Sequence, residues 1–246
     1  MSQEIKQRID ETLEQFIEIF NTRDPKRWSE ILHYPHLQCT PFREPKVFTT
    51  PEVYAAATDF NRMVEMGWHH STWDFKELVQ VSENKVHAFG QYTRYKDDGG
   101  KLHANTTAYI LTRVNGQWGI QARFNTGLFL HPLSAEADPE EKAKDIIKAY
   151  FSADGDGAMK KRSDLFHFPC FDIHDDQVEQ FDSYPEGGQL KRITDLRVFQ
   201  KSGAAVNIAV ESAINGSTAD KEKIKREIFI VILKNDRWGI MARSAL

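Results

Sequence analysis

The sequence predicts an α+β chain made of two like domains in series, each with N-terminal helices packed on one face of a curved antiparallel sheet. Three observations predict it. The string "QWGIQARF" (Gln117 to Phe124) returns as "RWGIMARS" (Arg237 to Ser244), with Trp118 and Trp238 120 positions apart. Each copy opens on an apolar stripe of helical period. Each closes on segments of period two joined by hairpin signals.

The repeat extends upstream of the tryptophans. "AYILTRVNGQWGIQARF" (Ala108 to Phe124) aligns with "IFIVILKNDRWGIMARS" (Ile228 to Ser244), and "VHAFGQYTRY" from Val86 with "VNIAVESAIN" from Val206. "ILHYPHL" (Ile31 to Leu37) meets "LFHFPCF" (Leu165 to Phe171) at an offset of 134, so the first copy holds 14 additional residues. Self-similarity at a domain-sized period means duplicated domains. The expected division is a first domain over residues 1–131 with a complete helical wall, a linker over 132–138, and a shortened second domain over 139–246.

The elements follow in order. Ile5, Ile9, Leu13, Phe16, Ile17 and Phe20 recur at three and four residues and make the first helix amphipathic. Asp24-Pro25 opens a second, with an acid as N-cap and proline at the first helical position. That helix carries Trp28, Ile31 and Leu32 inward and must stop before Pro35. His33 is expected to cap its C-terminus, and His167 to do the same in the second copy. Thr50-Pro51 starts a third helix, with Val53, Ala57, Phe60 and Val64 as its stripe and Gly67 as its stop. In the second copy Asp138-Pro139 opens a helix with Ala143, Ile146, Ile147, Tyr150 and Phe151 inward. "DSYPEGGQLKR" (Asp182 to Arg192) then replaces the third helix, with Pro185, Gly187 and Gly188 as breakers.

Strands make up the rest. Trp73, Phe75, Val79 and Val81 lie at even spacing. "KDDGG" from Lys96 separates two strands, and Asn115-Gly116 is a strong hairpin signal whose place Asn235-Asp236 takes in the second copy. Val206, Ile208, Val210 and Ile214 form one apolar row. In the next strand Phe229, Val231 and Leu233 lie on one face and Ile228, Ile230 and Ile232 on the other, so that strand is covered on both.

Composition excludes several classes. The chain has 246 residues, 40% of them hydrophobic, and a formal charge of −4 with acids and bases mixed, so no basic face for nucleic acid is expected. The N-terminus carries no signal-type apolar run, and no stretch reaches the roughly 18 apolar residues of a membrane span. Cys39 and Cys170 form no CxxC pattern and read as buried thiols of a cytoplasmic protein.

Helices followed by long antiparallel hairpins and a terminal "G-x-W-x-I" string resemble the nuclear-transport-factor-2-like superfamily, the SnoaL-like branch above all. Gly116, Trp118 and Ile120 carry the likeness in the first copy, Trp238 and Ile240 in the second. The resemblance implies two cone-shaped domains, each a bent sheet wrapped round its helices with an apolar pocket at the open end. It also implies pairing through sheet faces, which a tandem chain can make internally, with a homodimer as an open alternative.

Only the first copy has a third helix to wall its cone, so its pocket is the expected ligand site. Strand parity from Trp73 carries Ser71 and His69 inward, and His69 is the candidate acid–base catalyst. Tyr34, His36, Trp68, Ser71, Tyr92, Tyr109 and Phe124 are the expected ligand-contacting set. In the SnoaL-like branch the last strand commonly offers a polar group four or six residues after the tryptophan; here those places hold Ala122 and Phe124. Arg123 and Arg243, one residue off that register, are expected to point to the interface between copies. "DIHDD" (Asp172 to Asp176) reads as a solvated loop, and no metal or cofactor is expected. Two functions stay open. One is binding of a small hydrophobic molecule in the first domain, the second acting as structural partner. The other is an isomerase, cyclase or dehydratase moving a proton on a hydrophobic carbonyl compound.

Overall fold

The computed structural model describes residues 3–41, 43–127, 138–154, 156–184, 191–214 and 224–246. Pro185, Gly187, Gly188 and all of the expected linker but Asp138 lie outside the described residues. The first half runs α1 (Gln3–Asn21), α2 (Pro25–Ser29), β1 (Leu32–Cys39), β2 (Lys46–Phe48), α3 (Pro51–Ala57), α4 (Asn61–Glu65), β3 (His70–Val81), β4 (Lys85–Tyr95), β5 (Lys101–Val114) and β6 (Gln117–Asn125). The second runs α5 (Pro139–Ser152), α6 (Ala158–Ser163), β7 (Phe166–His174), β8 (Gln177–Phe181), β9 (Lys191–Lys201), β10 (Ala205–Ile214), β11 (Ile224–Lys234) and β12 (Arg237–Ala245).

Each half builds one six-stranded sheet, ordered β2-β1-β6-β5-β4-β3 and β8-β7-β12-β11-β10-β9. The two orders correspond strand for strand. In both, the first strand lies parallel to the last, and the other pairings are antiparallel. The chain is therefore two α+β sheet domains of one plan, as the tryptophan repeat predicts.

Local chemistry sets the helices. Asp24 accepts from the backbone N–H of Lys26 and Arg27 at 3.0 and 3.1 Å. Asp138 accepts from Glu140 and Glu141 at 3.1 and 3.2 Å, so each opens its helix as an N-cap. The third helix departs from its expected stripe. Thr58 leaves helical geometry at φ −93°, ψ 118° and splits the segment into α3 and α4. The break resets the helical phase. Val53 and Val64 end 50% and 39% exposed, and Tyr54 and Phe60 take the buried places. Gly67 ends α4 at φ 88°.

His33 and His167 cap no helix. Both sit on strands, β1 and β7, because α2 ends at Ser29 and α6 at Ser163. The His33 ring lies over Gly119, and the His167 ring over Gly239, at places a side chain would otherwise fill. The glycines thus mark close approach, as expected of Gly in a strand. The hairpin signals form as the sequence predicts: Asn115 and Gly116 take φ 50° and 81°, and Asn235 and Asp236 take 51° and 58°.

The β11 strand is buried on both faces. Phe229 and Val231 pack with Ala143 and Ile147 of α5. Ile228, Ile230 and Ile232 pack with Ile110, Ala122 and Phe124 of the first sheet. Burying such a side chain contributes roughly 1.5–3 kcal/mol. Polar bonds cross the same seam. His87 Nε2 lies 2.9 Å from Ser244 Oγ, Lys85 Nζ donates to the Ile173 carbonyl at 2.6 Å, and Ser202 Oγ donates to the Thr126 carbonyl at 2.8 Å. Among the described residues no helix is long and apolar enough to cross a membrane.

Candidate functional site

The helix-facing side of the first sheet is lined with rings. Phe16 of α1 and Trp28 of α2 stand 5.3 Å apart, and Tyr109 of β5 meets Phe16 at 6.0 Å and Trp73 at 5.8 Å. Phe16, Trp28 and Tyr109 form a buried floor. Tyr34, Trp73 and Tyr92 are only half buried.

A bulge decides what else faces this side. In β6 the pairing with β5 slips between Ile110↔Ala122 and Leu111↔Ile120, so Gln121 is an inserted residue. Its side chain is used locally, accepting from Thr112 at 3.1 Å and donating to the Pro35 carbonyl. Ile120 stays in the first core, but beyond the bulge parity is reversed. Ala122 and Phe124 turn to the seam between the sheets, and Arg123 turns inward. The expectation that Arg123 serves the interface is corrected by this slip. The same slip in β12, at Met241, turns Arg243 inward in the second domain.

Arg123 is a planar cation set among aromatics. Its guanidinium carbon lies 5.3, 4.9 and 5.7 Å from the ring centroids of Phe16, Trp28 and Tyr54. Its Nε donates to His36 Nε2 at 3.3 Å, and its Nη2 donates to the Tyr54 hydroxyl. His36 is fully buried, and its Nδ1 meets the Ile120 carbonyl at 2.9 Å. Burial first, then the Arg123 charge, holds its pKa well below the usual range, so the ring is neutral. Nδ1 therefore carries the proton, and Nε2 is left to hold Arg123 in place.

The second domain answers differently. Arg243 donates from Nε and Nη2 to Asp172 Oδ2 at 2.9 and 2.6 Å, and from Nη1 to the Tyr150 hydroxyl at 2.8 Å. "DIHDD" is thus no loop at its start. Asp172 to His174 belong to β7, and Asp172 is an ion-pair partner.

The residues nominated by the sequence divide among several places. Tyr34, His36, Tyr92 and Tyr109 border the same side, with the Tyr34 hydroxyl donating to the Ser29 carbonyl at 2.8 Å. Burial raises the phenol pKa of Tyr34 and Tyr109. Trp68 and Ser71 are buried and tied to each other, Nε1 to Oγ at 3.0 Å, beneath α1. Phe124 lies on the opposite face. His69 is half exposed just before β3, with Nε2 3.3 Å from Asp97 and Nδ1 3.0 Å from His70. His69 precedes β3, so the expected parity ends at the buried Ser71, and beyond Trp73 it fails because the strand slips twice, at Trp73/Phe75 and Leu78/Gln80. Phe75 is consequently 43% exposed. Tyr54 and Arg123 belong to the site, although the sequence reading passes over Tyr54 and assigns Arg123 to the interface.

A groove of about 580 Å³ lies along the seam, lined by Leu78, Val81, Glu83, Glu211 and Arg226 among others. Its Arg226 and Glu211 already pair with each other at 3.2 Å. Among the described residues no three His, Cys, Asp or Glu side chains are grouped to hold a metal ion.

Residues 3–125 match the family described as NTF2-like protein (DUF6841). Among solved structures, a protein of unknown function with a cystatin-like fold from Nostoc punctiforme is 12% identical, covering 51% of this chain and 92% of its own, with a TM-score of 0.43. An NTF2-like protein with a cystatin-like fold from Novosphingobium aromaticivorans is 13% identical over 49% of this chain and 80% of its own, TM-score 0.42. A ketosteroid isomerase-like protein from Erwinia carotovora atroseptica is 16% identical over 51% and 97%, TM-score 0.40. No curated protein matches the sequence.

Proposed function

This chain belongs to the NTF2-like family DUF6841, and from that premise we propose that its first domain receives a small, largely apolar molecule while its second domain serves as structural partner. One observation carries the reading. On the helix-facing side of the first sheet the half-buried rings of Tyr34, Trp73 and Tyr92 border a buried aromatic floor, with the partly exposed Arg123 among them. Apolar walls with a few fixed polar groups are the common make-up of a small-molecule site. The string around Gly116, Trp118 and Ile120 supports a SnoaL-like reading of the chain. The free, buried thiols of Cys39 and Cys170 support a reducing, cytoplasmic compartment.

Binding is favoured over proton transfer because the inward histidine, His36, has both ring nitrogens engaged, and His69 pairs with Asp97 outside the core. The test is a titration of the chain with 2-naphthamide, a neutral aromatic probe, read by tryptophan fluorescence. Saturable quenching is expected. It weakens in Tyr92→Ala and is kept in Phe75→Ala, whose side chain lies on the outer face. A response that never saturates, or one equal in both variants, refutes the reading.

A further inference from the structure

Resting on that receptor reading, we propose that the ligand carries a carboxylate, and that this carboxylate pairs with Arg123 as Asp172 pairs with Arg243.

The two domains supply their own comparison. Each last strand has the same bulge, and each turns one arginine toward its helices. The strand beside it has the same parallel register: Asp172 is the partner of Arg243, and Gln38 is the partner of Arg123. In the second domain the chain provides the anion itself, with two guanidinium nitrogens on one carboxylate oxygen. In the first domain the corresponding residue is a neutral amide.

The Arg123 guanidinium is a cation with five N–H donors and no acceptor. Among the described residues its hydrogen bonds go to His36 and Tyr54, both neutral, and no carboxylate lies within ion-pair distance of it. The three rings around it favour a cation but do not neutralise it. A second guanidinium, that of Arg94, stands on the same side over Phe20 and Tyr92, at 5.7 and 5.8 Å from their centroids. Its Nε is buried without a hydrogen-bond partner. The buried Tyr109 phenol lies within electrostatic range of both arginines. Two cations without a described anion, facing an aromatic floor, fit a planar carboxylate on an apolar body. The guanidinium fork matches that group with two parallel hydrogen bonds.

The test compares 2-naphthoate with 2-naphthamide, which share one body and differ in charge. The full-length chain is expected to bind the carboxylate about tenfold more tightly, the worth of one charge-assisted pair. Two variants should cut that preference to about twofold or less, and in Gln38→Asp the amide's affinity should be kept. Arg123→Gln removes the cation. Gln38→Asp supplies the anion internally, copying the Asp172 arrangement, and stands as the informative variant should Arg123→Gln fail to fold by far-UV circular dichroism. Amide binding with no preference for the carboxylate overturns this inference and leaves the receptor reading intact. A preference that survives in Gln38→Asp overturns the role of Arg123. No binding of either probe overturns the receptor reading and this inference with it.

Discussion

The ring of His33 occupies the volume over Gly119 that a side chain there would need, and its Nδ1 lies 2.8 Å from Thr112 Oγ1, fixing it in place. His167 covers Gly239 in the same way, with somewhat more room: a methyl group at 239 would stand 2.9 Å from the ring. Gly119→Ala is therefore expected to destabilise the chain by about 1–3 kcal/mol through overpacking. Gly239→Ala should cost less. Urea unfolding of both variants checks the order, and equal or negligible effects would show that the ring moves aside freely.

Acid sensitivity follows from two fully buried histidines. Burial lowers the pKa of His36 and His87 well below the usual value, helped by Arg123 in one case and Lys85 in the other. Above about pH 6.5 both are neutral in the folded and unfolded chain and contribute no pH dependence. Below it the unfolded chain takes up protons that the folded chain refuses, so stability falls with falling pH. Each site adds at most one proton to that slope, on the order of 1 kcal/mol per pH unit. His33, His103 and His167, less deeply buried, act in the same direction. His87→Gln should flatten the slope between pH 6.5 and 5 by about one such contribution. An unchanged slope in chemical denaturation series would mean that His87 titrates normally.

Removing Asp172 should be costly where removing Gln38 is not. Asp172→Asn leaves Arg243, whose side chain is only 21% exposed, without its counter-charge. Breaking such a pair costs about 3 kcal/mol, at the low end for buried pairs because some solvent reaches it. Gln38→Ala removes no charge partner and should fall below about 1 kcal/mol. Thermal unfolding of the two variants side by side reads the contrast.

The two domains should unfold together. Ile228, Ile230 and Ile232 bury one face against the first sheet, and His87 is bonded to Ser244 across the seam. Of the five tryptophans only Trp238 lies in the second half, so intrinsic fluorescence reports mainly the first domain and far-UV circular dichroism both. Coincident transitions are expected. Ile230→Asp should separate them. Two distinct transitions in the unaltered chain would contradict a shared core.

Much of the architecture is legible in the residues because it rests on local signals. Asp24 and Asp138 cap helices, Asn115-Gly116 turns a hairpin, and the strings around Trp118 and Trp238 mark the last strands. The site is less legible, for one physical reason. A sheet covered on both faces is apolar on both, so Ile120, Ala122 and Phe124 read as one continuous row although a bulge sends them to opposite sides. Hydrophobic alternation cannot reveal that slip, and parity alone puts Arg123 on the wrong face in consequence. Likewise Thr58 carries no strong breaker signal, so the helix break that buries Tyr54 is invisible in the sequence. Counting in twos back from Trp73 holds as far as the buried Ser71 but draws His69 inward only by assuming that the strand begins before His70. The duplicated arginines do hold usable information, since both follow the same Trp-Gly-Ile string.

The face bearing Ile110, Ala122 and Phe124 is covered by strands of the same polypeptide. Dilution cannot pull apart sheets joined in this way. A single-copy version of the fold would need a second molecule to shield that face, and the two subunits would then present identical helix-facing sides. Tandem fusion releases that symmetry. One half is free to seal its arginine with a resident aspartate while the other leaves its own without one, and the proposed site then occurs once per chain.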